Sequence, residues 1–528
     1  MASFLAQVVL ALAASTTAAP TTSGANASPT GTEYASGFDM TSSWSNLSPY
    51  REAATFGLPK GVPRDCELSQ VHVLHRHAQR YPGPYDNDGA GMEDFYHKLQ
   101  NYTRDHDTET IGIGPLSFLN HWRYLLGLEV LLPTGAATEA TSGAHFWSEY
   151  GRMLYHAPQA MSQWDPSLNK YPNGNERPKL IFRTTGQERI LESARWWASG
   201  FFGDVDADPS YDQYDLVIMP EGHGINNSLA ADHSCGGDLT PGLSGRAKFI
   251  PRFTKEAQSR LAEFLPNDFD LTTLDVNAML NLCPYETATL GNSSFCALFT
   301  EQEWKDFAYS IDVQYYGGWG FGSPAGRAQG IGYVLELAAR LQGQTITTSD
   351  TSINTTFDSD PAMFPLNQPL YLDMSHDNII SAVLTALGLE HFNYGPHGLP
   401  VEVDHAVDRK FRLSEITPFG SHLVSEIWTC PADTRFDVLD GTQYENPDLS
   451  EVDGTTEYIR FVLNGAPLPL DGNEGCSKAK NGFCVLDEFL HGVSKLKELA
   501  DYPGVCFGRY KSPNGEMVAD GRPPVGTT

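Results

Sequence analysis

The stretch Val73-Leu-His-Arg-His-Ala-Gln-Arg-Tyr-Pro82 places His75, Arg76, His77 and Arg80 within ten residues, directly after an apolar run. Two chemistries use such a set. One is metal ligation by His72, His75 and His77; the other is capture of an anion by guanidinium forks, with an imidazole beside it as nucleophile or base. Strand alternation puts His75 and His77 on one face and His72 on the other, and Arg76 and Arg80 would add positive charge beside a cation. The residue types therefore favour the anion.

Two further places repeat the layout of apolar strand, polar turn and helix. In "KLIFRTTGQERILESARWWASGFFG", Leu180 to Phe182 reads as a strand. Thr185 to Glu188 fits a capping box, and Ile190, Ala194, Trp197 and Phe201 recur at helical spacing. Arg183 then stands between a strand end and a helix start, where free backbone N–H groups favour an anion. In "LYLDMSHDNIISAVLTALGL", Leu370 to Leu372 reads as a strand. Ser375 or Asp377 can cap the helix that follows, which Gly388 ends. Ser375-His376-Asp377 also invites a serine-hydrolase reading, but adjacent residues rarely point at one another as a triad must, and no G-x-S-x-G elbow is present. Together the three turns supply Arg76, Arg80 and Arg183 to neutralise a phosphoryl group, His77 to attack it and Asp377 to protonate the leaving oxygen.

The elements that must position these groups are short apolar strands alternating with helix-like stretches. Pro (34) and Gly (49) punctuate the loops, and no internal repeat or coiled coil is visible. The chain has 528 residues, enough for one large core or two moderate ones. Its formal net charge of -30 disfavours nucleic acid and anionic membranes as partners. Phe4 to Ala14 is an apolar run too short to span a bilayer, with small residues at 15–19. It reads as a secretory signal (1–19), followed by a Ser/Thr/Gly/Pro-rich disordered lead (20–37). No later run suits a membrane helix. The 8 cysteines include no C-x-x-C pair, and in an oxidising compartment they suggest four disulfides. Cys283 with Cys296 and Cys476 with Cys484 are close enough for local loops, and sequence leaves the other four open. Sequons at Asn26, Asn46, Asn101, Asn226, Asn292 and Asn354 suggest a glycosylated surface.

At this point the chain resembles the histidine acid phosphatases, particularly the fungal secreted acid phosphatases and phytases. Their R-H-G-x-R-x-P signature stands here as Arg76-His77-Ala78-Gln79-Arg80-Tyr81-Pro82, with Ala78 in place of the usual Gly. Their late H-D pair is His376-Asp377, and their intervening arginine motif is "IFRTTGQER". "INNSLAADHSC", "YYGGWGFGSPAGRAQGIGYVLELAARL" and "IRFVLNGAPLPL" extend the likeness over about residues 60 to 508. The resemblance implies a large α/β domain with a central, mostly parallel sheet flanked by helices, in two parts at 38–224 and 316–508. A smaller, mainly helical domain lies at about 225–315, and a polar tail at 509–528. It implies His77 as the phosphohistidine nucleophile, Asp377 as general acid, and Arg76, Arg80, Arg183 and His376 as phosphate ligands. Neither a metal nor a cofactor is needed. Disulfides Cys66–Cys430, Cys235–Cys506, Cys283–Cys296 and Cys476–Cys484 are implied as well.

The expected protein is a secreted enzyme acting on small phosphate monoesters, with phytate a candidate among them and a homo-oligomer compatible with it. The rival from another class is an inactive anion-binding glycoprotein of the same fold, supported only by Ala78. If Asp86, Asp88, Glu93 and Asp94 line the entrance, they disfavour a polyanion near neutral pH.

Overall fold

The computed structural model describes residues 37–524 apart from 86–87, 172, 205–207, 236–238, 438, 440, 442, 509 and 511–514. The expected signal, the lead up to residue 36, Asn26 and Asp86 lie outside the described residues. No helix among the described residues is long and apolar enough to cross a membrane.

The centre is an eight-stranded sheet. Its strands are β1 (Glu67–Arg76), β2 (Leu180–Thr185), β3 (Tyr214–Met219), β4 (Leu370–Ser375), β5 (His422–Pro431), β6 (Thr455–Leu463), β7 (Ala466–Pro467) and β8 (Cys484–Val485). The order is β3-β2-β4-β1-β5-β6-β7, with β8 also on β6. β3, β2, β4 and β1 run parallel, whereas β5 to β8 join antiparallel. The sheet is therefore mixed rather than mostly parallel. β6 and β7 are joined by the tight Asn464-Gly465 turn, a connection that only antiparallel neighbours can use.

Helices cover both faces, as buried parallel strands require. α1 (Gly89–Asp105), α2 (Pro133–Phe146), α3 (Glu188–Phe202), α4 (Thr240–Phe253), α5 (Thr273–Leu290), α6 (Glu301–Gly318), α7 (Gly326–Leu341), α8 (Asp377–Ala386) and α9 (Leu486–Ala500) are the long ones. On one face, Ile190, Ala194, Trp197 and Phe201 of α3 meet Val71, Val73, Phe182 and Leu372 of the strands. This is the stripe read from their helical spacing. On the other, Leu74, Ile427 and Phe461 meet Leu337 of α7, Ile380 of α8 and Phe489 of α9.

The expected helical stretch, 225–315, holds α4, α5 and most of α6. α1 packs there too: Lys98 Nζ lies 2.6 Å from Asp275 Oδ2, and Phe95 meets Phe295 edge-on. The segment at 515–524, expected as polar tail, is docked. Val518 is buried, its N–H donates to the Gly322 carbonyl at 2.9 Å, and Asp520 pairs with Arg327 at 2.5 Å. Disulfides join Cys66 to Cys430, Cys235 to Cys506, Cys283 to Cys296 and Cys476 to Cys484. The first ties the start of β1 to the end of β5.

Candidate active site

Register brings the two polar turns together. β1 and β4 are parallel neighbours with Arg76 opposite Ser375, so His77 and the His376-Asp377 pair leave the sheet side by side at its carboxyl edge. This is where open α/β sheets bind their ligands. The His77 N–H donates to the Ser375 carbonyl at 3.1 Å. His376 is the N-cap residue of α8 and Asp377 its first residue, without a side-chain cap. Ser375 Oγ instead donates to the Leu229 carbonyl at 2.6 Å.

His77 is 2% exposed. Its Nδ1 lies 2.8 Å from the Ala78 carbonyl, which can only accept, so Nδ1 carries the proton and Nε2 keeps its lone pair. That lone pair accepts from Arg189 Nε at 3.4 Å. Burial, and then the positive charges of Arg189, Arg76 and Arg80, hold the imidazole well below the ordinary histidine range. The neutral imidazole is therefore favoured below the ordinary histidine range. Ala78 is buried and is not among the residues with positive φ. The backbone conformation here is open to any residue and does not call for the usual glycine.

Asp377 Oδ2 accepts from Asn46 Nδ2 at 2.9 Å and lies 2.9 Å from Arg76 Nη2; its Oδ1 accepts from the Asn378 N–H at 2.8 Å. Burial pushes this carboxyl up, but Arg76, the Asn46 amide and Arg80 outweigh it, and the net displacement is downward. Arg76 is fully buried. Its Nη1 donates to the carbonyls of Asn46 and Thr417 at 2.5 and 2.6 Å, and its guanidinium carbon stands 4.4 Å over the Phe419 ring. Arg80 donates to the Tyr81 carbonyl at 2.7 Å and lies 3.5 Å from Asp88 Oδ2. His376 Nε2 pairs with Glu221 Oε1 at 3.0 Å, and its ring meets the His77 ring edge-on at 6.1 Å. Glu221 also faces His233 Nε2 at 3.3 Å. Burial raises the Glu221 carboxyl, but His376 and its hydrogen bond bring it down to about 2.

A cavity of about 590 Å³ opens above these groups, lined among others by Arg80, Asp88, Arg189, His376 and Asp377 on the sheet side. Arg183 is not there. β2 runs to Thr185, three residues beyond Phe182, so Arg183 lies inside the sheet opposite Asp373 of β4. Its Nε donates to Asp373 Oδ1 at 2.7 Å, its Nη1 to Asp358 at 3.1 Å, and its Nη2 to Glu336. The phosphate-ligand reading of Arg183 is therefore corrected: three carboxylates occupy its donors. The guanidinium that reaches the cavity from this motif is Arg189, in the first turn of α3, a helix whose N-cap Gln187 makes no capping box.

The sequence reading also placed Asn46 among surface sequons. It is 6% exposed and holds Asp377 and, at 3.0 Å, the Tyr315 hydroxyl, so a glycan at this amide is incompatible with the fold. Asn101, Asn226 and Asn292 are exposed, and Asn354 is half-buried at the start of a short helix. The three clustered histidines point to different partners. His72 stacks on Tyr371 and bonds Gln70, His75 bonds Ser142 and the Arg76 carbonyl, and His77 meets Arg189 and His376, two of the residues that line the cavity. Of the acidic run, Asp88 lines the cavity, while Glu93 is exposed on α1 beside His97 and Asp94 is exposed on the same helix. Sequence reasoning missed Asn46, Arg189 and Glu221. Only Arg189 carried a signal, because it stands just inside a helix start.

Residues 67–464 match the family described as the histidine phosphatase superfamily, branch 2. The chain is 30% identical to Phytase A of Aspergillus oryzae and 28% identical to Phytase A of Aspergillus fumigatus, each over 478 residues. Both alignments cover 88% of this chain and 90% of the relative. The crystal structure of the phytase from D. castellii superposes with a TM-score of 0.67 at 20% identity, covering 91% of this chain and 90% of that one. That of the Bifidobacterium longum multiple inositol polyphosphate phosphatase with inositol hexasulfate gives 0.52 at 14%, covering 87% and 98%. At such identities the structural likeness speaks to the fold. The matched span holds both polar turns of the site and most of the chain, and the chain belongs to the histidine phosphatase superfamily, branch 2.

Proposed function

We propose that this protein is a secreted acid phosphatase that hydrolyses phosphate monoesters through a phosphohistidine on His77, with phytate among its substrates and no metal required. The observation that carries this reading is the pairing of a neutral imidazole, its Nε2 lone pair fixed by the Ala78 carbonyl, with a carboxyl one parallel strand away.

The first step follows from those positions. A phosphoryl group entering the cavity takes the N–H donors of Arg189 and Arg80, which releases the Nε2 lone pair. Nε2 then attacks phosphorus, the ester P–O bond breaks, and Asp377 gives its proton to the leaving alcohol. In the second step Asp377, now ionised, takes a proton from water as the water oxygen attacks phosphorus. The N–P bond breaks, inorganic phosphate leaves and both side chains return to their starting states. Fixed guanidinium charges at the equatorial oxygens supply most of the stabilisation. Arg76 acts through Asp377 and as buried charge, since its Nη1 donors are committed to backbone carbonyls.

Asp377 must be protonated at the start, and Arg76 and Asn46 hold its carboxyl low. Activity therefore belongs on the acid side and falls as pH rises through the value of Asp377 in the substrate complex, which the bound phosphate dianion raises. His77 sets no comparable acid limit, because its neutral form persists well below the usual range. The name of the fungal relatives and the four disulfides favour secretion and phytate. The backbone at Ala78, which is not at positive φ, speaks against the inactive-binder reading.

Rates for 4-nitrophenyl phosphate and an alkyl phosphate, with a chelator present, test the proposal. Turnover of both is expected, with Asp377→Asn losing far more on the alkyl ester, because an alkoxide needs the proton that a nitrophenolate does not. Equal losses on both esters, or wild-type activity that requires added metal, would contradict it.

A further inference from the structure

The reaction leaves a fully buried carboxyl beside the nucleophile unused. Glu139 lies in the middle of α2, and neither of its oxygens stands in hydrogen-bond geometry with a partner. A carboxyl so placed is a costly group, and an apolar side chain would fill the space more favourably. The groups that face it are His75 Nε2, 3.6 Å from Oε2, the Ser193 hydroxyl of α3, the Ala78 N–H and the charge of Arg76. Arg76 is already paired with Asp377 at 2.9 Å.

The directions of the neighbouring hydrogen bonds decide which form this carboxyl takes. His75 Nδ1 lies 2.8 Å from the Arg76 carbonyl, which can only accept, so Nδ1 carries the proton and Nε2 presents a lone pair. That lone pair faces Ser142 Oγ at 3.1 Å and Glu139. A lone pair and a carboxylate so placed repel, whereas a proton on the carboxyl turns the same approach into O–H···N. Burial acts in the same sense, keeping the proton on Glu139 and off His75. On the other side the Ala78 N–H donates to Ser193 Oγ at 3.3 Å, which leaves the Ser193 proton free for the carboxyl. The start of α2 grips the next residue: the Leu132 N–H donates to the Gln79 carbonyl at 2.8 Å, and a Cβ on Gly135 would fall 2.3 Å from that oxygen. Between these two holds lies the Ala78 carbonyl, the acceptor that sets the His77 tautomer.

We propose that Glu139 is a positioning residue, a neutral carboxylic acid that donates to His75 Nε2, accepts from Ser193 and through Ser193 holds the Ala78 backbone, so that His77 Nε2 stays aimed at phosphorus. This rests on the reading of His77 as the nucleophile. Glu139 neither gains nor loses a proton in the reaction and does not touch the substrate. Its loss therefore falls on the rate of attack rather than on phosphate binding.

Infrared difference spectra and single-turnover rates test the inference together. At neutral pH, the spectrum of wild type minus that of Glu139→Gln should show the carbonyl band of a protonated carboxyl, a readout that needs no turnover. Glu139→Leu should slow nitrophenolate release from 4-nitrophenyl phosphate in a single turnover by about ten-fold, the scale of one hydrogen bond, with the inhibition constant of inorganic phosphate within about two-fold. Ser193→Ala should do the same and covers the case in which Glu139→Leu does not fold. Glu139→Gln, whose amide offers the same donor and acceptor, should recover most of the rate. The urea midpoint of Glu139→Leu should not fall, whereas a packing role alone predicts a rate that drops only as the midpoint drops. Absence of the carboxyl band, a wild-type rate in Glu139→Leu or Ser193→Ala, or a loss in Glu139→Gln as large as in Glu139→Leu would overturn the assignment. The band in a protein that cleaves no phosphate ester would leave the neutral bridge standing and count instead against the phosphatase reaction it serves.

Discussion

Replacing Arg183 with Met should break the protein's stability and leave phosphate binding largely in place. Arg183 and Arg340 are buried with Asp373, Glu336 and Asp358, none of them more than 3% exposed. Arg340 grips both oxygens of Asp373, at 2.6 and 3.0 Å, while Arg183 serves all three carboxyls. Burial, and then the neighbouring Glu336 charge, push the Asp358 carboxyl far up, so it keeps its proton and two cations balance two anions. Without Arg183, Arg340 still neutralises Asp373, but Glu336 loses its direct ion pair and keeps the hydrogen bonds of the Ser228 hydroxyl, at 2.7 Å, and of the protonated Asp358. Removing one partner of a buried pair costs about 3–5 kcal/mol. That is a large share of a typical ~5–15 kcal/mol stability. Methionine fills much of the volume, so little of the loss would come from a cavity. Urea unfolding followed by tryptophan fluorescence, with the disulfides intact, reads the effect as a lower midpoint. Inhibition by inorganic phosphate reads the other half, and its constant should stay within about three-fold, below the ten-fold of one lost charge-assisted contact. A wild-type midpoint combined with a ten-fold weaker phosphate constant would show that Arg183 is a ligand after all and refute the placement.

Arg189→Ala should do the reverse, raising KM and the phosphate inhibition constant by about 10- to 100-fold, the scale of lost charge-assisted hydrogen bonds, with little change in the unfolding midpoint. Unchanged phosphate inhibition would count against it. Asn46→Leu removes a donor that favours the ionised form of Asp377, so the carboxyl rises and the alkaline limb of the rate profile should move up by about one pH unit; a shift the other way contradicts the sign. Glycopeptide mapping of protein made in a glycosylating host should find Asn46 bare, since its amide nitrogen is held between Asp377 and Tyr315. An occupied Asn46 would mean that this turn of the site is not built as described.

The parts legible in the sequence were those that depend on local spacing. Ile190, Ala194, Trp197 and Phe201 announced the buried stripe of α3, and Val71, Val73 and Leu74 announced the strand at whose end His77 stands. The misplacement of Arg183 came from a boundary: a polar Arg-Thr-Thr was read as turn, yet the strand continues through it. Asp373 explains why it can. Parallel register sets Arg183 opposite Asp373, and a charge buried in each strand is tolerated only because the other is there. An aspartate in the middle of the apolar run "LYLDMS" was the available sign. Asn46 was beyond reach, because its role depends on contacts across 331 residues of chain. It is delivered by a turn with Ser45 at φ 55°, which no spacing rule encodes. The antiparallel half of the sheet was likewise set by tertiary pairing.

The central claim is that His77 carries the phosphoryl group. Wild-type enzyme mixed with a phosphorus-labelled ester and quenched within a turnover in alkali should retain label, lose it in acid, and yield it on the peptide containing His77, with none in His77→Ala. Acid-stable label, label on Ser375, or substantial turnover by His77→Ala would contradict the account.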